Sequence, residues 1–176
     1  LTLEHGTVDL GDETFHLEAF AYDLDLVRAL DLDTGERQMS AMLTGEVSLS
    51  GLLSERPRLR GHALINRLQV LSGDLEIRNK RPIQISAERD RFTLKKTRFL
   101  GPDMAFDLSG RANLSRMNIE LDGLADLRAL ADLVSGVGRS SGRLRVNARI
   151  TGPFDDPSFR GEGKLENGAV SLSGFP

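Results

Sequence analysis

The feature that most constrains this chain is a two-residue period of apolar and polar side chains, repeated in short runs along most of its length. It is clearest in Leu144-Arg145-Val146-Asn147-Ala148-Arg149-Ile150-Thr151. A β-strand sends successive side chains to opposite faces, so this run predicts a strand with one apolar and one wet face. Apolar residues recur in the same way at Leu43, Val47 and Leu49, at Leu75 and Ile77, at Ile83, Ile85 and Ala87, and at Phe92 and Leu94. They continue at Met104, Phe106 and Leu108 and at Met117, Ile119 and Leu121. Arg81-Pro82 and Gly101-Pro102 break the chain between runs. Asp12-Glu13, residues 88–91 and Asp155-Asp156-Pro157 read as turns. Asn167-Gly168 predicts a hairpin turn between two runs. Together these signals predict about 12 short strands in an all-β fold.

Two segments carry a helical period instead. Leu124, Leu127, Leu130, Leu133 and Val134 fall on one helix face, followed by Gly136 and Gly138 as a stop. Leu26, Val27 and Leu30 predict a shorter helix.

The alternation is organised in an internal repeat. Pro57-Arg58-Leu59-Arg60-Gly61 matches Pro157-Ser158-Phe159-Arg160-Gly161 at a separation of 100 residues, and Arg28-Ala29-Leu30 matches Arg128-Ala129-Leu130 at the same offset. Residues 43–51 follow the pattern of residues 144–152 after a one-residue slip. The expected organisation is one repetitive region over residues 1–176, with copies at about 15–73 and 115–173.

Chemistry has little foothold. The chain has no Cys, which excludes disulfides, thiol catalysis and Cys-based zinc sites. A net charge of -3 argues against bulk attraction to nucleic acid. The basic pairs Lys80-Arg81 and Lys95-Lys96 read as solvated surface. His5, His16 and His62 follow no ligand spacing. Asp31-Leu32-Asp33-Thr34-Gly35 resembles a calcium loop but lacks its third acidic position and closing Glu. No phosphate loop precedes a helix and no nucleophile elbow is present. The expectation is a non-enzyme without metal or cofactor.

What remains is the apolar stripe. Aromatics are only 5% of residues, few for filling a compact barrel of this size. The default destination of such a stripe is the core of a two-sheet sandwich. The alternative is an open greasy groove. No run reaches the roughly 18 apolar residues of a membrane-spanning helix. The chain opens at Leu1 inside an alternating run, and is read as one stretch of a longer protein whose targeting segment lies elsewhere.

Residues 141–170 resemble the repeat of the TamB family, within the wider AsmA-like group. The pattern is an alternating strand (Leu144 to Thr151), Gly152 with Pro157, the apolar-x-Gly of Phe159-Arg160-Gly161, a second strand, then Asn167-Gly168 and a third strand. Residues 51–61 resemble it partially, with Arg67-Leu68 at the Asn-Gly position. The predicted helix from Leu124 resembles the family's linker helices. The resemblance implies a β-taco, an elongated sheet curled along its length with a hydrophobic concave face and one or two short linker helices. It implies a periplasmic region of an inner-membrane-anchored protein reaching toward the outer membrane. It further implies phospholipid acyl chains as cargo, or a scaffold role in outer-membrane protein assembly beside the barrel TamA. With this added, the groove becomes the expected arrangement. About 12 strands at ~4.8 Å make a ribbon roughly 55 Å long. The lining would be Leu43, Val47, Leu49, Leu59, Ile65, Leu75, Ile77, Ile83, Ile85, Phe92, Leu94, Met104, Phe106, Leu108, Met117, Ile119, Leu144, Val146, Ala148, Ile150, Phe159, Leu165, Val170 and Leu172.

Overall fold

The computed structural model describes residues 2–29, 31, 39–52, 59–73, 75–127 and 137–172, with residues 2–5, 137–140 and 169–172 described by backbone alone. Among these residues the alternating runs form eleven strands. They are β1 (Thr2–Asp9), β2 (Thr14–Asp25), β3 (Met39–Leu52), β4 (Leu59–Ser72), β5 (Leu75–Asn79) and β6 (Ile83–Arg89). The rest are β7 (Arg91–Gly101), β8 (Met104–Ala112), β9 (Arg116–Asp126), β10 (Val137–Pro153) and β11 (Ser158–Leu172). All belong to one antiparallel sheet, so the fold is an all-β curled sheet and not a two-sheet sandwich. Strands follow one another in chain order, with one exception. The short β5 and β6 lie end to end between β4 and β7 and share a single strand position.

That joint leaves backbone groups of β4 without a ladder, and the Asn79 side chain serves them. Its Oδ1 accepts from Leu68 N at 2.7 Å, and its Nδ2 donates to Asn66 O at 3.1 Å and Arg81 O at 2.8 Å. On the other side Lys80 N donates to Arg98 O at 2.8 Å. Unpaired backbone polar groups are costly, and these bonds let one sheet continue across a broken strand.

Short turns join most neighbours. Gly11 N and Asp12 N donate to Asp9 Oδ1 between β1 and β2. Glu88 pairs with Arg91 around a two-residue turn, and Gly101 with Met104 around Pro102-Asp103. One helical turn, α1 (Leu26–Ala29), follows β2. Asp25 caps it, its Oδ1 accepting from Val27 N at 3.0 Å and Arg28 N at 3.3 Å.

Two local expectations are corrected. Leu124 is not helical: β9 runs on to Asp126, and Leu124 pairs with Ala105 on one side and Arg145 on the other. Ladder pairing on both sides overrides the local helical spacing. Leu130, Leu133 and Val134, and Leu30 of the shorter helix, lie outside the described residues. Asn167-Gly168 does not turn the chain: β11 passes straight through it as a bulge opposite Gly142. A type I′ hairpin needs positive φ at both central residues, whereas here only Asn167 has it, at 51°. Arg67-Leu68 likewise lies inside β4, next to a bulge at Asn66.

Bulges also interrupt β2–β3 between Ala21 and Leu24 and β7–β8 between Leu94 and Thr97. At the first, Asp23 N donates to Thr44 Oγ1 at 3.1 Å while Arg67 of β4 pairs with the Asp23 carboxylate. Each bulge bends its strand and strengthens the local twist. Glycines show the direction of the bend. A Cβ on Gly61 would lie 2.2 Å from Ser48 O, and one on Gly110 only 2.4 Å from Asn118 O and 2.8 Å from Ile119 Cδ1. A real Cβ essentially never comes closer than 3.0 Å to such a neighbour. Here the neighbouring backbone leans over the glycine on the side that carries Leu49 and Ile119. The sheet is therefore creased toward its apolar face.

Candidate functional site

Register follows from the ladders, and it sorts side chains into two faces. One row of facing residues runs Ala19, Val47, Ala63, Ile85, Leu94, Gly110, Ile119, Ile150, Phe159 across nine strands. No polar side chain interrupts it. The adjacent row, one residue along each strand, runs Glu18, Ser48, His62, Ser86, Thr93, Arg111, Asn118, Thr151, Ser158 and contains no apolar side chain. Facing residues share a side of the sheet, so this apolar row and its polar neighbour lie on opposite faces.

Other apolar rows extend the first. Leu17, Leu49, Gly61, Ala87, Phe92, Ala112 and Met117 face one another in turn. So do Leu108, Leu121 and Ala148, and Phe106, Gly123 and Val146. Leu43 faces Leu68, Gly45 faces Ile65, Ile65 faces Ile83, and Val70 faces Ile77. Met104, Ala125, Leu144 and Leu165 form another row. Leu59, two residues before Gly61, and Leu75, two before Ile77, lie on the same side. The expected lining residues thus share one face as far as side chains are described; those of Val170 and Leu172 lie outside the described part.

Burial on this face is graded. Leu75 (5% exposed), Ile83 (3%), Phe99 and Met104 are buried where β5 and β6 meet β7 and β8, and Phe99 stacks on Phe106 with centroids 5.2 Å apart. Most of the remaining apolar face is half-buried. Toward the outer strands it opens, with Val8 at 64% exposed, Leu165 at 41% and Phe159 at 69%. Among the described residues no large side chain is completely enclosed. The face is partly sheltered by its own curl, with no second sheet over it among the described residues, and its chemistry is that of an apolar surface with few polar handles.

Phe99, Leu68 and Val70 belong to this face but escape a fixed two-residue count. The bulge at Lys95-Lys96 moves the apolar positions of β7 from Phe92 and Leu94 to Thr97 and Phe99. The bulge at Asn66 moves those of β4 from Ala63 and Ile65 to Leu68 and Val70. In both, a polar doublet within an alternating run is the signal.

On the polar face, Arg98 donates from Nε to Asp107 Oδ1 at 2.8 Å and from Nη2 to Oδ2 at 3.1 Å, with Lys96 Nζ 3.2 Å from the same carboxylate. The hydrogen bond from Arg98 is the main reason that the Asp107 pKa lies below the usual carboxylate value, and Lys96 adds to it. Burial opposes that shift. His16 Nε2 lies 3.3 Å from Glu18 Oε1, and His62 is exposed. Among the described residues no three His, Asp or Glu side chains gather into a metal-sized cluster. Asp31 is a turn residue and Asp33 lies outside the described residues. Lys80-Arg81 and Lys95-Lys96, separate in sequence, line one cavity. Comparison of the chain with protein-family models, with curated proteins and with solved structures returns no match.

Proposed function

We propose that this chain is a lipid-carrying segment of a TamB-like envelope protein, its apolar face holding phospholipid acyl chains on their way between inner and outer membranes. The observation that carries this reading is the row from Ala19 to Phe159, apolar at every position, on the creased side of a single sheet. Each methylene removed from water contributes about 0.8 kcal/mol, so a long greasy surface holds a tail without specific polar contacts. Equivalent positions repeated from strand to strand let the tail shift along the row without leaving apolar surroundings. In this reading the chain is periplasmic, belongs to a protein anchored in the inner membrane, and works with an outer-membrane barrel of the TamA kind.

The test is a photo-crosslinking amino acid at Ile119, and separately at its chain neighbour Asn118, in the chain mixed with phosphatidylethanolamine–phosphatidylglycerol vesicles. Lipid adducts at Ile119 and none at Asn118 are expected. Equal labelling at both, or none at Ile119, overturns the reading.

A second reading has one observation in its favour. The 15-residue strand β11 pairs on one side with β10 and, among the described residues, has no strand on the other. Such an edge accepts an extended client strand by main-chain pairing, the behaviour expected of an assembly scaffold. Crosslinks from Lys164 to an outer-membrane protein client, with none from Ile119 to lipid, would favour it.

A further inference from the structure

The polar face carries a cavity of about 570 Å³ where the sheet is discontinuous. Its walls come from the β5–β6 joint (Lys80, Arg81, Pro82), from Gln84 of β6, and from the bulge of β7 with Asp107 of β8 behind it. Two irregularities build it. Residues 80–82 cross from one short strand to the next, and β7 opposite them carries a bulge in which Lys95 and Lys96 stand against the single residue Ser109 of β8. Both are fastened in place. Thr97 Oγ1 donates to Lys95 O at 2.9 Å and Lys80 N donates to Arg98 O at 2.8 Å.

The charge in this cavity is one-sided. Lys80, Arg81, Lys95, Lys96 and Arg98 line it, against the single carboxylate of Asp107. Arg98 and Lys96 are both engaged by Asp107. Lys95 Nζ donates to the neutral Gln84 Oε1 at 2.8 Å. Lys80, Arg81 and Lys95 have no carboxylate partner among the described residues. A chain with net charge -3 thus concentrates three cations without a carboxylate partner in one recess, beside two that share Asp107. Its volume is within the ~300–1,000 Å³ of small-molecule clefts. Guanidinium and ammonium donors arriving from the β5–β6 joint and from β7 suit a group with several charged acceptor oxygens.

We propose that this cavity binds a phosphate-bearing anion. The site lies on the face opposite the apolar row, so it stands whether or not that row carries lipid. A phosphate of this kind is either free in solution or the headgroup of a phospholipid, and the two are separable.

Isothermal titration of the chain at low ionic strength, with inorganic phosphate and separately with glycerol 3-phosphate, tests the site. Saturable binding that weakens with added salt is expected, because partly exposed charges are screened. Tighter binding of glycerol 3-phosphate than of phosphate identifies a headgroup as the ligand, and equal or weaker binding identifies the free anion. The double variant Lys80→Gln/Arg81→Gln should bind about tenfold more weakly, having lost two charge-assisted contacts. Arg160→Gln, a cation on β11 away from the cavity, should bind as the parent chain does. Circular dichroism checks the fold. If the double variant loses its sheet signal, Lys95→Gln, whose ammonium hydrogen-bonds Gln84, provides the reading in its place. Absence of saturable binding overturns the proposal, as does undiminished binding in the cavity variants or an equal loss with Arg160→Gln.

Discussion

Arg98 and Asp107 face each other across β7 and β8 and are joined by two hydrogen bonds, at 2.8 and 3.1 Å. The pair is a fork against a carboxylate, next to the bulge whose Lys96 also pairs with Asp107 Oδ2. Asp107 therefore remains ionised in the folded chain at pH values where an unfolded Asp binds a proton.

This pair makes stability pH-dependent in a defined direction. The Asp107 pKa is depressed on folding, so its contribution is complete above the unfolded carboxylate value of about 3.9 and disappears as pH falls through the depressed value. Glu166, lowered mainly by its hydrogen bond from Lys164, acts in the same direction. Asp107→Asn should melt below the parent chain at neutral pH, and the gap should close below about pH 4. Melting curves at several pH values measure this; a gap that does not change with pH counts against it.

Asn79 is the second point of leverage. Its amide serves Leu68 N, Asn66 O and Arg81 O at the joint of β5 and β6. Asn79→Ala should cost about 1–3 kcal/mol, the usual penalty for backbone groups left unpaired. Urea unfolding reads this directly, and an unchanged midpoint would mean that water replaces the amide without loss.

The crease makes a contrast between two glycines on the apolar face. A Cβ on Gly110 meets Asn118 O at 2.4 Å, whereas one on Gly163 meets nothing closer than Leu144 Cδ1 at 3.5 Å. Gly110→Ala should destabilise by about 1–3 kcal/mol through overpacking, and Gly163→Ala should be close to neutral. Equal melting temperatures for the two variants would mean that the sheet flattens at little cost.

The sequence makes the strands and the two-faced character legible because a strand's side-chain period does not depend on its partners. Leu144 to Ile150 alternate in β10 as they do in the text of the chain. What depends on partners is not legible. Leu124 has helical spacing to Leu127, yet pairing with Ala105 and Arg145 makes it a strand residue. Asn167-Gly168 has turn chemistry, but a bulge opposite Gly142 absorbs it within β11. Phe99 is hidden by a change of parity at Lys95-Lys96, and the charged cavity by a separation of fourteen residues between Arg81 and Lys95. Whether the apolar face meets a second sheet also depends on pairing, since the same alternation serves a sandwich and an open curl. The ladders decide it by joining all eleven strands into one sheet.

The apolar face itself is tested by charge on β10. Val146 is half-buried and faces Gly123 on β9 and Gly163 on β11, so a carboxylate at this position has room beside it. If lipid tails travel over Val146 and Ile150, a carboxylate there keeps its hydration, and an acyl chain cannot readily displace that water. Val146→Asp and Ile150→Asp should therefore abolish lipid adducts at Ile119 and the envelope function of the full-length protein. Arg145 points to the other face, opposite Leu124 and Lys164, and Arg145→Asp should be nearly silent. Arg149→Asp is the less clean control, because Arg149 pairs with Glu120 and the change sets two carboxylates against each other. Folding separates the possible causes of a loss. On an open face the Val146→Asp chain keeps its β-sheet circular dichroism and its expression level while losing lipid. Were Val146 holding a packed core together, the same change would unfold the chain, as a buried unpaired charge does. Loss of sheet signal and expression together with lipid binding would therefore show that the face is structural and remove the case for a conduit.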